Sequence, residues 1–145
     1  MGTSGSDAQA LAQRSADAMY AADGASQRLG IEITDVAPGR ATARMRITAD
    51  MVNGHGIAHG GYVFLLADTA FAFACNTYGD QVVARGASIV FVAAARAGDE
   101  LVAIGEERRR YGRNGVYDIT VRRTGANDVV AEFRGESHTM RRSEG

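Results

Sequence analysis

The sequence predicts an α+β fold in which a curved antiparallel sheet wraps one long central helix, and three observations carry that prediction. Residues from Tyr62 to Tyr78 favour helix and are apolar on every side, so other elements must cover them. Runs of alternating polarity or β-branched character stand before and after that stretch. Turn signals separate these runs at Pro38-Gly39, Gly98-Asp99, Gly112–Gly115 and Gly125–Asp128.

Taken in order, Asp7 can cap a first helix running to about Ala22, with Leu11, Ser15, Ala18 and Ala22 on one weakly apolar face. That face suits a peripheral position. A hairpin follows: Ile31, Ile33 and Asp35 share one side of the first strand, and Pro38-Gly39 turns the chain. In the return strand Ala41, Ala43, Met45 and Ile47 face inward, with Arg44 and Arg46 outward. Met51 to Gly61 holds four glycines in eleven residues and reads as a loop. The apolar helix leaves this loop and stops at Gly79. Strands are expected at Val82–Ala95, Leu101–Arg110, Val116–Arg123 and Val129–Met140, with Asn114-Gly115 as a hairpin signal. Residues 1–28 are expected to form a flexible lead-in and short helix, 29–140 the domain, and 141–145 a tail.

Composition narrows the function. A chain of 145 residues supports one domain with one core. The 16 basic residues, all Arg, are cancelled by 17 acidic ones, so no net field favours nucleic acid or an anionic membrane. The most apolar stretch, Tyr62 to Cys75, is too short to span a bilayer and contains Asp68. The N-terminus lacks the basic and apolar regions of a targeting signal, and a cytoplasmic protein is the expectation. Lone Cys75 excludes a disulfide framework. The 18 glycines exceed the usual share of roughly 7%, which points to specific backbone duties.

Asp68 is the main chemical anomaly. Its neighbours at helical spacing, Phe64, Leu65, Phe71 and Ala72, are all apolar. A carboxylate there is either functional, hydrogen-bonded across the core, or placed at a dimer seam. Gly60 and Gly61 open the same helix, where free N–H groups and the dipole favour developing negative charge; a tight turn is the plainer reading. His59 would orient that turn or the substrate. His55 and His59 have helical metal spacing, but the intervening glycines oppose a helix and no third ligand is near, so no metal site is expected. Cys75 reads as an inert buried thiol and His138 as a sheet residue. Arg108–Arg110 with Arg113 could meet a phosphate or form a solvated edge with Glu106 and Glu107. No dinucleotide or phosphate-loop fingerprint occurs.

Gly60 and Asp68 lie eight residues apart, about 12 Å along a helix. One chain cannot bring both within about 3–3.5 Å of one carbonyl. Two antiparallel copies can, so a catalytic Asp68 calls for at least a homodimer.

Asn53-Gly54-His55, His59-Gly60-Gly61 and Leu66-Ala67-Asp68-Thr69-Ala70-Phe71-Ala72 resemble the PaaI-type thioesterases of the hotdog superfamily. Ala74-Cys75-Asn76, Gly115–Ile119 and Phe133–His138 are similar to the phenylacetate-degradation members. The resemblance covers about Leu29 to Met140. It implies a hotdog fold, dimers paired into tetramers, and hydrolysis of acyl-coenzyme A thioesters, with aryl or hydroxyaryl acetyl groups favoured. Asp68 would then be nucleophile or general base, the Gly60 N–H would polarise the thioester carbonyl, and His59 would support that turn. Asn53, Gly61 and Thr77 would line the site, and Arg113-Asn114-Gly115 would meet coenzyme A. No cofactor is implied, since coenzyme A is part of the substrate. Relatives often carry Arg-Pro where this chain has Ala94-Ala95-Arg96-Ala97, and some place a serine at the position of Ala84. Two other readings compete: a hotdog hydratase or dehydratase using Asp68 and His59, and a non-catalytic acyl-CoA-binding module.

Overall fold

Six strands form one antiparallel sheet: β1 (Glu32–Ala37), β2 (Arg40–Arg46), β3 (Gln81–Phe91), β4 (Glu100–Tyr111), β5 (Asn114–Arg123) and β6 (Val129–Arg141). Their spatial order is β1-β2-β4-β5-β6-β3, which puts β3 at one edge and β1 at the other. Helices α1 (Gly5–Ala22) and α2 (Gly24–Arg28) precede the sheet, and α3 (Gly60–Cys75) packs against it. The computed structural model describes residues 5–142; the expected tail therefore lies largely outside the described residues, and Arg141 still belongs to β6.

Why α3 lies so close to the sheet is a matter of glycines. A Cβ on Gly135 would stand 2.7 Å from the Phe71 ring, and one on Gly105 would stand 3.2 Å from the Ala70 carbonyl oxygen. Both strands thus surrender a side chain where the helix presses on them. Phe71 fills the resulting space between Tyr117 and Phe133, with ring centroids 5.7 and 5.9 Å away. Leu66, Ala67, Ala70 and Ala74 are fully buried beside it.

The far end of α3 is locked by side chains. Thr77 donates its hydroxyl to Ala74 O (3.0 Å) and accepts from Gly39 N–H (2.7 Å), tying the helix exit to the β1–β2 turn. Gly39 has φ +74°, the left-handed value that a Pro-Gly turn places on its glycine. The Tyr78 hydroxyl would sit 2.9 Å from a Cβ there, and it donates to Glu107 (2.9 Å).

Four expectations are corrected. In α1, Ala12 and Ala16 are buried, while Ala18 and Ala22 are exposed. Gln9 donates to Val36 O (2.7 Å) and Tyr20 to Ile31 O (2.6 Å), and these anchors choose which side of the helix covers β1. In β1 a bulge between Ile33 and Asp35 shifts the register, so Val36 rather than Asp35 joins Ile31 inside. The β4–β5 hairpin turns at Gly112-Arg113, with Tyr111 opposite Asn114, so Asn114-Gly115 opens β5 instead of forming the turn. Finally, β3 ends at Phe91: the Val92 and Ala93 N–H groups both turn to Val130 O, and Ala95 O accepts from Ala58 N–H (2.7 Å).

Candidate active site

The loop before α3 is organised by Asn53. Its Oδ1 accepts from His55 N–H (2.9 Å) and Ile57 N–H (3.4 Å), and its backbone bonds Ile57 O and Gly56 N–H. His59 then caps the helix: its Nδ1 accepts from Gly61 N–H at 2.9 Å, which leaves the proton of a neutral ring on Nε2. Gly61 is therefore not a substrate donor; its N–H is occupied by the cap. The Gly60 N–H, one residue earlier, makes no hydrogen bond among the described residues. The loop and cap satisfy their neighbours and leave this one donor open at the positive end of the helix.

Beside Gly60 is an apolar cavity of about 350 Å³, lined by Asn53, Ile57, Ala58, Val63, Phe91 and Val92 among others. The Phe91 ring approaches to 3.0 Å of where a Gly60 Cβ would stand, so glycine is required for that contact. Sequence reading did not single out Phe91 as a site residue. Its only sequence signal is a place at the end of a strand-like run.

Asp68 lies two turns along α3, half-buried. Burial pushes its carboxyl above the usual range, and it has no hydrogen bond or ion pair among the described residues. The possibility of a carboxylate tied across the core of its own chain is thereby removed. Asp68 belongs to a helix stripe, Gly61, Leu65, Asp68 and Ala72, that other parts of the chain leave partly open. Against the start of this helix lies the end of edge strand β3, where Val90, Phe91 and the following Val92 are 64, 53 and 56% exposed.

The other candidates separate. Thr77 is 1% exposed with its hydroxyl engaged at both ends; it is a helix lock and presents nothing to a site. Arg113 folds back, donating to Thr139 O and Met140 O. Gly115 is buried, and a Cβ there would meet Ser137 Oγ at 2.7 Å. Asn114 accepts from Arg85 (3.1 Å), contacts His138 Nδ1 (2.9 Å) and lines a second cavity, about 300 Å³, at the C-terminal end of α3. Arg108 pairs with Asp118, which Arg134 also clasps at 2.7 and 2.8 Å; the Arg134 hydrogen bonds hold that carboxyl below its usual range. Cys75 is buried, and burial pushes its thiol up to about 12, the opposite of a reactive nucleophile. Among the described residues no group of three His, Cys, Asp or Glu side chains could hold a metal, and no helix is long and apolar enough to cross a membrane.

A long helix held against a six-stranded antiparallel sheet, with a glycine-rich loop feeding its start, defines the hotdog class of thioesterase fold. The family model for the thioesterase superfamily matches residues 55–130, and the chain belongs to that family. The acyl-coenzyme A thioesterase PaaI of Escherichia coli K12 is 44% identical over 129 residues, 89% of this chain and 91% of that protein. The structure of E. coli PaaI, from the phenylacetic acid degradation operon, matches with a TM-score of 0.89 at 42% identity over 91% of this chain and 95% of that one. A variant of the phenylacetic acid degradation protein PaaI from Thermus thermophilus matches with a TM-score of 0.77 at 32% identity, over 81% of this chain and 100% of that one. The protein is a hydrolase acting on thioesters.

Proposed function

We propose that the protein hydrolyses acyl-coenzyme A thioesters, with phenylacetyl or hydroxyphenylacetyl as the acyl group, at two composite sites of a homodimer. The observation that carries this reading is Asp68, a partly desolvated carboxylate with no partner among the described residues, on a helix whose first N–H likewise makes no hydrogen bond among them. With α3 of two protomers antiparallel, Gly60 of one faces Asp68 of the other, and the roughly 12 Å between them within one chain ceases to matter.

At such a site the thioester carbonyl oxygen points at the Gly60 N–H. Asp68 either attacks the carbonyl carbon or takes a proton from an attacking water; negative charge grows on the oxygen at the helix start. Collapse of the tetrahedral adduct breaks the C–S bond and expels coenzyme A thiolate, which takes up a proton. A thiolate leaves readily, so no strong general acid is needed, in keeping with a single site carboxylate. Covalent attack adds one step, in which water cleaves the resulting anhydride. His59 acts through the backbone, fixing the loop so that Gly60 and not Gly61 offers the donor. Asn53 holds the same loop from the other side.

The homodimer reading is supported by edge strand β3, which among the described residues pairs with β6 alone and exposes apolar side chains near its end. A tetramer, as a dimer of dimers, is part of the same proposal. The test is release of free thiol from a panel of acyl-CoAs, with enoyl-CoA hydration measured in parallel. Thiol release lost in Asp68→Asn supports the proposal. Full turnover in that variant overturns the mechanism, hydration without thiol release favours the hydratase, and tight binding without either favours the binding module.

A further inference from the structure

We propose that Arg123 is a positioning residue for thioester hydrolysis: from the end of β5 it fixes one wall of the cavity beside Gly60, and with it the fit of the substrate there. This rests on the reading above, which seats the thioester at Gly60.

That wall has no polar side chain of its own to hold it. Once β3 ends at Phe91, the residues Val92, Ala93, Ala94 and Ala95 line the cavity. Valine and alanine offer no polar group, so only the backbone can anchor the segment. At its near end the Val92 and Ala93 N–H groups reach Val130 O, at 2.8 and 3.2 Å. At its far end Ala95 O accepts from Ala58 N–H at 2.7 Å, and Ala58 lines the same cavity two residues before Gly60. Between these ties stands the Ala94 carbonyl, whose donor is the Arg123 guanidinium at 3.1 Å.

The guanidinium joins three segments at once. Besides Ala94 O it bonds Asp99 Oδ2 at 2.9 Å, and it grips both carboxylate oxygens of Asp128 at 3.0 and 2.8 Å. Asp99 passes the constraint along, because the same Oδ2 accepts from Arg96 N–H (2.8 Å), just past the wall. The Asp99 backbone is in turn fixed to the chain after β2, with Ile47 N–H on Asp99 O at 2.8 Å. Asp128 immediately precedes β6, the strand whose Val130 O holds the near end of the wall. Both ends of the apolar segment are therefore referred to one side chain.

An ion pair in this setting adds little to stability, since the Arg123 side chain is 24% exposed. Its consequence is geometric: a planar fork sets direction as well as distance, which an ammonium cannot do. Arg44 provides the contrast. It pairs with Glu100 at 2.8 Å, and neither residue lines the cavity beside Gly60.

The experiment measures thiol release from phenylacetyl-CoA by the full-length protein, Arg123→Ala, Arg123→Lys and Arg44→Ala, with the Tm of each. In Arg123→Ala the KM rises about tenfold, the worth of one hydrogen bond to a charged donor. Its kcat stays within about twofold, because the groups that meet the reacting carbonyl are untouched. Arg123→Lys keeps the charge without the fork and raises KM about threefold; it is read alone if the alanine variant does not melt cooperatively. Arg44→Ala leaves KM unchanged, so a common loss of Tm does not account for the difference. Calorimetric titration with a thioether analogue that cannot be hydrolysed makes the same comparison through Kd. A rise in KM or Kd confined to the Arg123 variants supports the positioning role. Unchanged KM and Kd in those variants, or an equal rise in Arg44→Ala, overturns it. A parent that binds the analogue but releases no thiol overturns the catalytic reading alone, and Kd then decides the role of Arg123. A parent that binds no analogue overturns both.

Discussion

Helix α3 has two faces that obey different rules. On the sealed face Val63, Leu66, Ala67, Ala70, Phe71 and Ala74 are buried against the sheet, and two strands give up side chains to let them in. On the open stripe Leu65, Asp68 and Ala72 are only partly covered, and the one charge in the helix has no partner among the described residues. The sealed face is built for stability. The open stripe holds a partly desolvated carboxylate that packing alone gives no reason to keep, and the proposed function assigns it the chemistry. Substitutions on the two faces should separate activity from stability.

The largest effect is expected from Asp68→Asn, which should lower thiol release by about 10²–10⁴-fold, the usual contribution of a general base. The dimer should persist on size exclusion. Because burial raises the Asp68 carboxyl, folding disfavours its charged form relative to the unfolded chain. Stability is then lost as pH climbs through the folded-state value, while kcat/KM rises over that same window, above the ordinary 3.8. Removing the charge should keep the Tm or raise it at neutral pH, although activity collapses. A fall in Tm with activity intact would erase the distinction between the faces.

Phe71→Ala, on the sealed side, should cost about 3–5 kcal/mol in urea unfolding, because a ring wedged between Tyr117 and Phe133 leaves a cavity. Its melting loss should exceed that of any change on the open stripe. Next comes the edge. Val90→Asp puts a charge on a strand that the proposed dimer covers; sedimentation should show monomers, and thiol release should drop by about 10²–10³-fold as the Gly60 donor leaves the site. Dimers with full activity would mean that the protomers meet elsewhere. The smallest effect is expected from His59→Ala, which removes the helix cap and should cost about 0.5–2 kcal/mol. Its readout is the Tm, together with a fall in kcat as the loop around Gly60 loosens.

Much of the architecture was legible in the residues. The central helix, the inward set of β2 and the order of turns all follow from local pattern. Asp68 and Gly60 stood out because each breaks that pattern, one by charge and one by the lack of a side chain. Gly61 and Thr77 were assigned to the site although the fold employs both as fasteners. No local signal separates a glycine N–H that is free from one that its own cap has taken. Ser137 occupies an inward position on β6, in step with Phe133 and Gly135, where the strand pattern expects an apolar residue.

By itself the sequence determined the elements and the anomalies, because helix and strand periodicity and the cost of burying a charge act over a few residues. Tertiary structure decided which anomalies have partners. The bulge in β1, the closure of β3 at Phe91, the lock at Thr77 and the lack of a partner for Asp68 among the described residues all depend on groups from other elements of the fold. Hydrogen bonding is a matter of distances, and only the folded chain sets those.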